Sequence, residues 1–277
     1  MTGIETGTDE LLCELKGRVA LVTLNKPHKM NALGDILTPA LRRILPVLED
    51  RMDVGCVMIT GAGNAFCSGG DVSEMGDNSK SGRNPPAVED QIADLTEKQR
   101  TLTGVLYHLK KPTIAALPGA AAGAGLSIAL ACDLRVACED AFMVTAFRNV
   151  GLSGDYGASW FLPRLVGLSR AKALIYRSPR LSAGEAMDIG LVDEVYPTAS
   201  FRDDALGYAM GIANGPTLAL SKMKENMQAG LTQSLDASFE LEAKHMIESG
   251  SGEEARKAIT AFKEKRKPVF YEDARFN

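Results

Sequence analysis

Three places in this 277-residue chain put small or acidic residues where a reacting group could sit. The turn Phe66-Cys-Ser-Gly-Gly-Asp71 follows the β-branched run Val54 to Thr60 and a first turn, Gly61-Ala-Gly-Asn64. The segment Gly119-Ala-Ala-Ala-Gly-Ala-Gly125 follows Thr113 to Leu117 and opens an apolar helix. Small side chains let a ligand approach the backbone, and a helix start adds free N–H donors and a positive dipole end. Two such turns can together hold a developing oxyanion. The third place is Gly151-Leu-Ser-Gly-Asp155-Tyr-Gly, a turn with an acid at its apex that opens the apolar run Ala158 to Val166. An acid there can move a proton or cap the helix, and both readings of Asp155 stay open.

Other uses of the glycines are weaker or local. A phosphate-cradling GxxxxGK[ST] loop fails because Leu126 and Ser127 follow Gly125, so no lysine reaches a phosphate. A dinucleotide GxGxxG fingerprint has Gly123 and Gly125 but Ile128 in its third place. Close packing of a helix on a sheet remains as an alternative for each turn taken alone.

The elements that must position these residues read as a repeated strand and helix. Arg18 to Leu24 and Val54 to Thr60 have the composition of buried strands, and Asp35 to Leu48 spaces Ile36, Leu37, Leu41, Ile44, Leu45 and Leu48 as a helix. A helix around Gln91 to Leu109, a strand Thr113 to Leu117, a helix to Ala131 and a strand Leu134 to Cys138 follow. Repetition of this unit predicts an α/β fold on a parallel sheet, open or wound as a spiral. Gly76 to Asp90 is rich in Gly, Ser, Asn, Pro and charge and reads as a loop, either a lid or a plain surface insertion. Ser182-Ala-Gly-Glu185 is a capping box, and residues 201–277 read as a helical segment appended to a core at 1–200. No internal repeat of fixed period is visible.

Composition narrows the function classes. With 31 Lys+Arg against 35 Asp+Glu the net charge is -4, which argues against a nucleic-acid partner. The longest apolar stretch, Thr113 to Cys132, is interrupted by Pro118 and three glycines and is too weak to span a membrane. The first ten residues lack a basic n-region, so the expected compartment is the cytoplasm. Five cysteines without CxxC spacing indicate neither a disulfide framework nor a zinc site, and His28, His108 and His245 are too scattered for a metal centre or a triad.

Taken in order, several segments resemble the crotonase (enoyl-CoA hydratase/isomerase) superfamily. They are Asn25 to Leu33 (NKPHKMNAL), Gly61 to Met75, Lys111 to Ala116, Gly119 to Asp133, Leu181 to Val195 and the closing Phe262 to Phe270 (FKEKRKPVF). The resemblance covers nearly the whole chain. It implies a spiral of ββα turns with a C-terminal helical trimerisation region, hence a homotrimer or a dimer of trimers. It also implies an acyl-CoA substrate, with coenzyme A entering as part of the substrate and no separate cofactor or metal. By motif position the oxyanion amides belong to Gly70 and Ala124; glycine is usual where Ala124 stands, but only the N–H is chemically needed.

The carboxylates narrow the reaction. Where two glutamates of typical hydratases would stand, this chain has Ser127 and Phe147, so two-glutamate hydration is not supported. The stretch from Asp155 to Gly167 is similar to the single-aspartate branch that includes the isomerase of ring-oxidised phenylacetyl-CoA degradation. The same aspartate position resembles that of the 4-chlorobenzoyl-CoA dehalogenases, whose histidine would fall at Arg100; His108 lies two helical turns on, and dehalogenation is disfavoured. The expected activity is therefore double-bond isomerisation of an enoyl-CoA with Asp155 as base. A hydratase or hydrolase in which Asp155 activates water, helped by Ser127, Ser153 or Tyr156, is the alternative, and a silent acyl-CoA-binding member is another. Ser68, Gly69, Asp71, Ser127, Phe147 and Tyr156 are expected around the substrate. Asp71 is expected to serve mainly its loop, Phe147 to form wall or core, and Asp133 to act as a buried acceptor. Lys29 and the tail Lys263, Lys265, Arg266 and Lys267 could meet the phosphates of coenzyme A or simply face water.

Overall fold

The computed structural model describes residues 2–71 and 86–271. Strands β1 (Thr2–Gly3), β2 (Leu11–Lys16), β3 (Val19–Leu24), β4 (Cys56–Gly61), β6 (Thr113–Leu117), β8 (Leu134–Cys138) and β11 (Glu194–Tyr196) form one sheet in that order. Its first two pairings are antiparallel, and from β3 to β11 every pairing is parallel. A smaller sheet runs β10 (Leu181–Ser182), β9 (Phe142–Val144), β7 (Ala120–Ala122), β5 (Ala65–Cys67). Each of β4, β6 and β8 passes within a few residues into a strand of the small sheet, β5, β7 and β9 respectively. That alternation makes each turn of the chain a ββα unit, and the expected spiral is what the strand orders describe.

Burial explains the elements. Helix α1 (Leu37–Asp50) buries Leu37, Ala40, Leu41, Ile44, Leu45 and Leu48 on one face, the stripe that a 3.6-residue period lays against a sheet. The strands β4 and β6 are buried along their whole length, as expected of strands covered on both faces. All eight residues of α4 (Ala124–Ala131) are buried, which places this helix inside the molecule between other elements. All five cysteines are buried and free.

The segment between β5 and β6 is α2 (Val88–Gln99), a π turn (Arg100–Gly104) and α3 (Val105–His108). Of the polar loop expected at Gly76 to Asp90, residues 76–85 lie outside the described residues, and Val88, Glu89 and Asp90 already belong to α2. Past the site region come α5 (Ala158–Val166), α6 (Leu168–Arg177) and α7 (Ala183–Asp188), the last opened by the expected capping box between Ser182 and Glu185.

Four helices then complete the chain: α8 (Phe201–Ala213), α9 (Thr217–Gly230), α10 (Leu235–Gly250) and α11 (Glu253–Lys263). The first of them, α8, buries Phe201, Ala205, Ala209 and Ala213 against the large sheet and so packs as part of the core. A Cβ on Gly55, just before β4, would stand 2.2 Å from the Ala213 carbonyl, so the approach requires glycine. Helices α9, α10 and α11 bury only Lys224, His245 and Ala261, and leave Met227, Leu235, Phe239, Met246 and Ile247 exposed, as is Leu231 between α9 and α10. Lys224 joins α9 to the core by donating to Asp133 Oδ2 at 2.8 Å, on the oxygen that also accepts from the Thr113 amide and hydroxyl. Asp133 is thus the structural acceptor that its place in the sequence suggests. Among the described residues no helix is long and apolar enough to cross a membrane.

Candidate active site

The two glycine-rich turns meet. Leu33 donates its amide to Gly69 O at 2.8 Å and accepts from the Asp71 amide at 2.8 Å, a parallel bridge centred on Gly70. In that pattern the N–H and C=O of Gly70 itself point away from Leu33. On the other turn, Ala124 is the first residue of α4, where an amide has no intrahelical acceptor. Outside the regular helices and strands, no backbone hydrogen bond among the described residues takes the amide of Gly70 or of Ala124. The contact between the turns is close: a Cβ on Gly69 would lie 3.1 Å from Ala122 O and 3.6 Å from the Ala124 nitrogen.

Helix packing, the alternative for these glycines, is realised one residue along. A Cβ on Gly125 would stand 2.4 Å from Cys67 O, so the first turn of α4 presses on β5 and only glycine fits. Gly125 thus sets the distance between the two turns. The methyl group of Ala124 is accommodated in this arrangement, at 4% exposure.

A phenyl ring joins this pair to the acid. Phe147 Cε1 lies 3.8 Å from where a Cβ on Gly123 would be, and the same ring lies 3.6 Å from the corresponding point on Gly154. Phe147 is buried and acts as wall between the α4 turn and the turn that carries Asp155. That second turn is unusually bent. Ala146 and Tyr156, as well as Gly151, Gly154 and Gly157, have positive φ. Left-handed backbone at a non-glycine residue is uncommon and costs energy, and it persists where surrounding structure holds it.

The bend decides between the two readings of Asp155. The N-cap of α5 is Gly157, with no side-chain cap hydrogen bond, and Asp155 contributes only its carbonyl, which accepts from the Ala158 amide at 3.2 Å. Its carboxylate is therefore not a helix cap. Asp155 Oδ1 is buried with no hydrogen-bond partner among the described residues, and burial alone pushes the carboxyl up from its ordinary 3.8 to about 6. A desolvated acid without a structural partner is a common mark of a functional site. The neighbouring Tyr156 is buried, and burial first, then the Asp155 charge, pushes its phenol up to about 12.

The remaining expected residues divide. Asp71 is buried and pairs with Lys29 Nζ at 2.7 Å and Lys26 Nζ at 3.3 Å, so it holds the segment 25–33 against the first turn. Lys29 is 40% exposed in that pair. Ser68 donates its amide to Met30 O at 3.0 Å and its hydroxyl to Lys29 O at 3.4 Å, again joining the two segments. Ser127 is fully buried with its hydroxyl on Gly123 O at 3.2 Å, so it braces the start of α4. Ser153, Arg100 and His108 are exposed. Lys263, Lys265, Arg266 and Lys267 are exposed at the end of α11.

Two residues with structural weight were not singled out from the sequence. Lys26 is one, since its partner Asp71 lies far along the chain. Asn31 is the other: fully buried at φ 56, it accepts from the Lys26 amide and donates to Ala62 O and Ala65 O. The signal for Asn31 was its residue type, since asparagine tolerates left-handed backbone.

Residues 14–273 match the enoyl-CoA hydratase/isomerase family model. The chain is 36% identical over 261 residues to the probable enoyl-CoA hydratase of Rhodobacter capsulatus, covering 93% of this chain and 96% of that one. It is 32% identical over 261 residues to the 1,2-epoxyphenylacetyl-CoA isomerase of Escherichia coli, covering 94% and 97%. The crystal structure of an enoyl-CoA hydratase from Polaromonas sp. superposes with a TM-score of 0.86 at 32% identity, over 94% of this chain and 99% of that one.

Proposed function

The chain belongs to the enoyl-CoA hydratase/isomerase family, and from that premise we propose that it shifts a carbon–carbon double bond within an enoyl-CoA thioester, with Asp155 as the base. The observation that carries this reading is the buried Asp155 Oδ1, without a hydrogen-bond partner among the described residues, in a chain with Ser127 and Phe147 at the two positions where typical hydratases carry glutamates. The thioester oxygen accepts from the amides of Gly70 and Ala124, which stabilises the enolate formed when a proton leaves. Asp155 takes that proton from C2 or C4 and returns it at the other of the two carbons. The double bond moves, and the carboxylate ends as it began. One acid is enough for this cycle, whereas adding water across a double bond normally uses two. The raised pKa of Asp155, about 6, makes it a stronger base than a solvated aspartate while leaving it ionised near neutral pH. Lys29, held by Asp71 yet 40% exposed, offers positive charge to the phosphates of coenzyme A.

A second reading is favoured by the likeness to the Rhodobacter capsulatus protein: Asp155 activates water and the reaction is hydration. Asp155→Asn tests the role shared by both. The amide keeps the side-chain volume but is no base, so acyl-CoA binding should persist while turnover falls roughly 10²- to 10⁴-fold. Turnover close to that of the wild type in a folded variant would remove Asp155 from the chemistry.

A further inference from the structure

Phe147 is buried at 8% exposure, yet it stands apart from the contiguous hydrophobic core that the strands and α1 share. Filling that core is therefore not its task. Its ring occupies the space between two turns of the site. Cε1 lies 3.8 Å from where a Cβ on Gly123, the N-cap of α4, would be, next to the Ala124 amide. On the other side Cδ2, Cε2 and Cγ lie 3.6, 3.7 and 3.9 Å from the corresponding point on Gly154, so one side of the ring covers the residue before Asp155.

The backbone is bent to put the ring there. Ala146 has φ 60, a left-handed conformation that persists at a non-glycine residue only where its surroundings hold it. Helix α6 supplies that hold. The Ala146 amide donates to Ser178 Oγ, at the C-cap of α6, at 2.9 Å, and the Thr145 hydroxyl donates to Leu174 O at 3.0 Å. Beyond the ring, Phe147 O accepts from the Leu152 amide at 3.0 Å, which ties it to the turn that leads to Asp155.

An apolar ring beside a carboxyl group keeps water from it. Asp155 Oδ1 is buried without a hydrogen-bond partner among the described residues, and burial is the cause of its raised pKa, with no charged group contributing. Its titratable neighbour Tyr156 is itself buried and feels the Asp155 charge; the charges of Arg42 in α1 and Asp94 in α2 act on that phenol. A dry carboxylate is a stronger base than a hydrated one.

We propose that Phe147 is a positioning residue of the site, whose ring keeps water off the Asp155 carboxylate and so sets its strength as a base. The consequence for turnover rests on the reading of Asp155 as the base, whereas the exclusion of water can be measured without any reaction.

The test is thermal melting, from about pH 4 to pH 8, of wild type, Asp155→Asn, Phe147→Ala and the double variant. A dry Asp155 lowers stability as pH rises from about 3.8 to 6, so Asp155→Asn should melt above the wild type beyond that range. In Phe147→Ala, water enters beside the carboxylate, and the gap between this variant and the double variant should be about half the wild-type gap or less. Phe147→Leu keeps an apolar wall and should keep the gap. If Phe147→Ala does not fold, Phe147→Gln fills the space with a polar group and should shrink the gap in the same way. A gap of wild-type size in the Ala or Gln variant would overturn the proposal. So would a gap that shrinks as much in Phe147→Leu, or equal melting of wild type and Asp155→Asn at every pH. With an enoyl-CoA as substrate, the acid limb of the kcat/KM profile should move from about 6 toward 3.8 in the Ala or Gln variant, and a limb that stays near 6 would contradict the proposal. If the wild type turns over no enoyl-CoA while the melting gaps behave as stated, the base reading fails and the role of Phe147 in excluding water stands.

Discussion

Replacing Asp155 by asparagine should make the protein more stable while it makes the enzyme slower. Burial raises the Asp155 carboxyl from 3.8 to about 6, and its Oδ1 has no hydrogen bond to compensate. The folded chain therefore holds this proton more tightly than the unfolded chain does. Below the unfolded pKa the carboxyl is neutral in both states and costs nothing; between about 3.8 and 6 the unfolded chain ionises ahead of the folded one and stability is lost, and above about 6 both are ionised and the loss is complete. The full displacement corresponds to roughly 3 kcal/mol at ~1.4 kcal/mol per pKa unit. Asp155 is only half-buried, so solvent screening reduces this to roughly 1–2 kcal/mol. For a chain of this size that is about 2 to 8 °C in melting temperature. The assay is thermal melting of wild type and Asp155→Asn from about pH 4 to pH 8. The variant's advantage should be smallest at the acid end, open between about pH 4 and 6, from the unfolded to the folded pKa, and stay level above. Equal melting at pH 8, or a difference that does not change with pH, would refute the claim that Asp155 carries an uncompensated buried charge.

Gly70→Pro deletes one of the two amides proposed to hold the thioester oxygen, and should lower turnover roughly 10²- to 10³-fold with the fold kept; unchanged turnover in a folded variant would take Gly70 out of the site. The exposed Met227, Leu235, Phe239, Met246 and Ile247 of α9 and α10, with Leu231 between them, should be covered by other copies of the chain. Light scattering at micromolar concentration is expected to give a trimer or a pair of trimers, and a monomer would contradict this.

What the sequence made legible depended on element length and on how burial is distributed. The β-branched strands β3, β4, β6 and β8 could be read because they are mostly buried, so apolar residues run almost without a break. Strand β2 alternates, with Leu12 exposed and Glu14 and Lys16 paired at its surface, and it was not read. The small sheet is built from strands of three residues or fewer, too short for any period to show. Its β7 is Ala-Ala-Ala, inside what reads as a glycine-rich turn, so only pairing with β5 and β9 makes it a strand. Asp155 was visible as an acid at the apex of a turn. That it does not cap α5 follows from the left-handed conformations of Tyr156 and Gly157, which residue type alone does not reveal for a tyrosine. Likewise Ser127 could be noted as a replaced acid, but its bond to Gly123 O depends on where α4 starts. The pairing of Asp71 with Lys26 and Lys29 joins segments about forty residues apart, and no local pattern encodes it.

Incubation of the wild type with a 3-enoyl-CoA in D₂O, followed by mass spectrometry and proton NMR of the thioester, tests the central claim most directly. Proton transfer by Asp155 between C2 and C4 predicts deuterium at one or both of those carbons, a shifted double bond and no gain of a water's mass, with the deuterium uptake and the bond shift both suppressed in Asp155→Asn. A product heavier by one water would assign the site to hydration, and release of free coenzyme A to hydrolysis. No deuterium uptake and no shifted bond with any enoyl-CoA that binds would contradict the account.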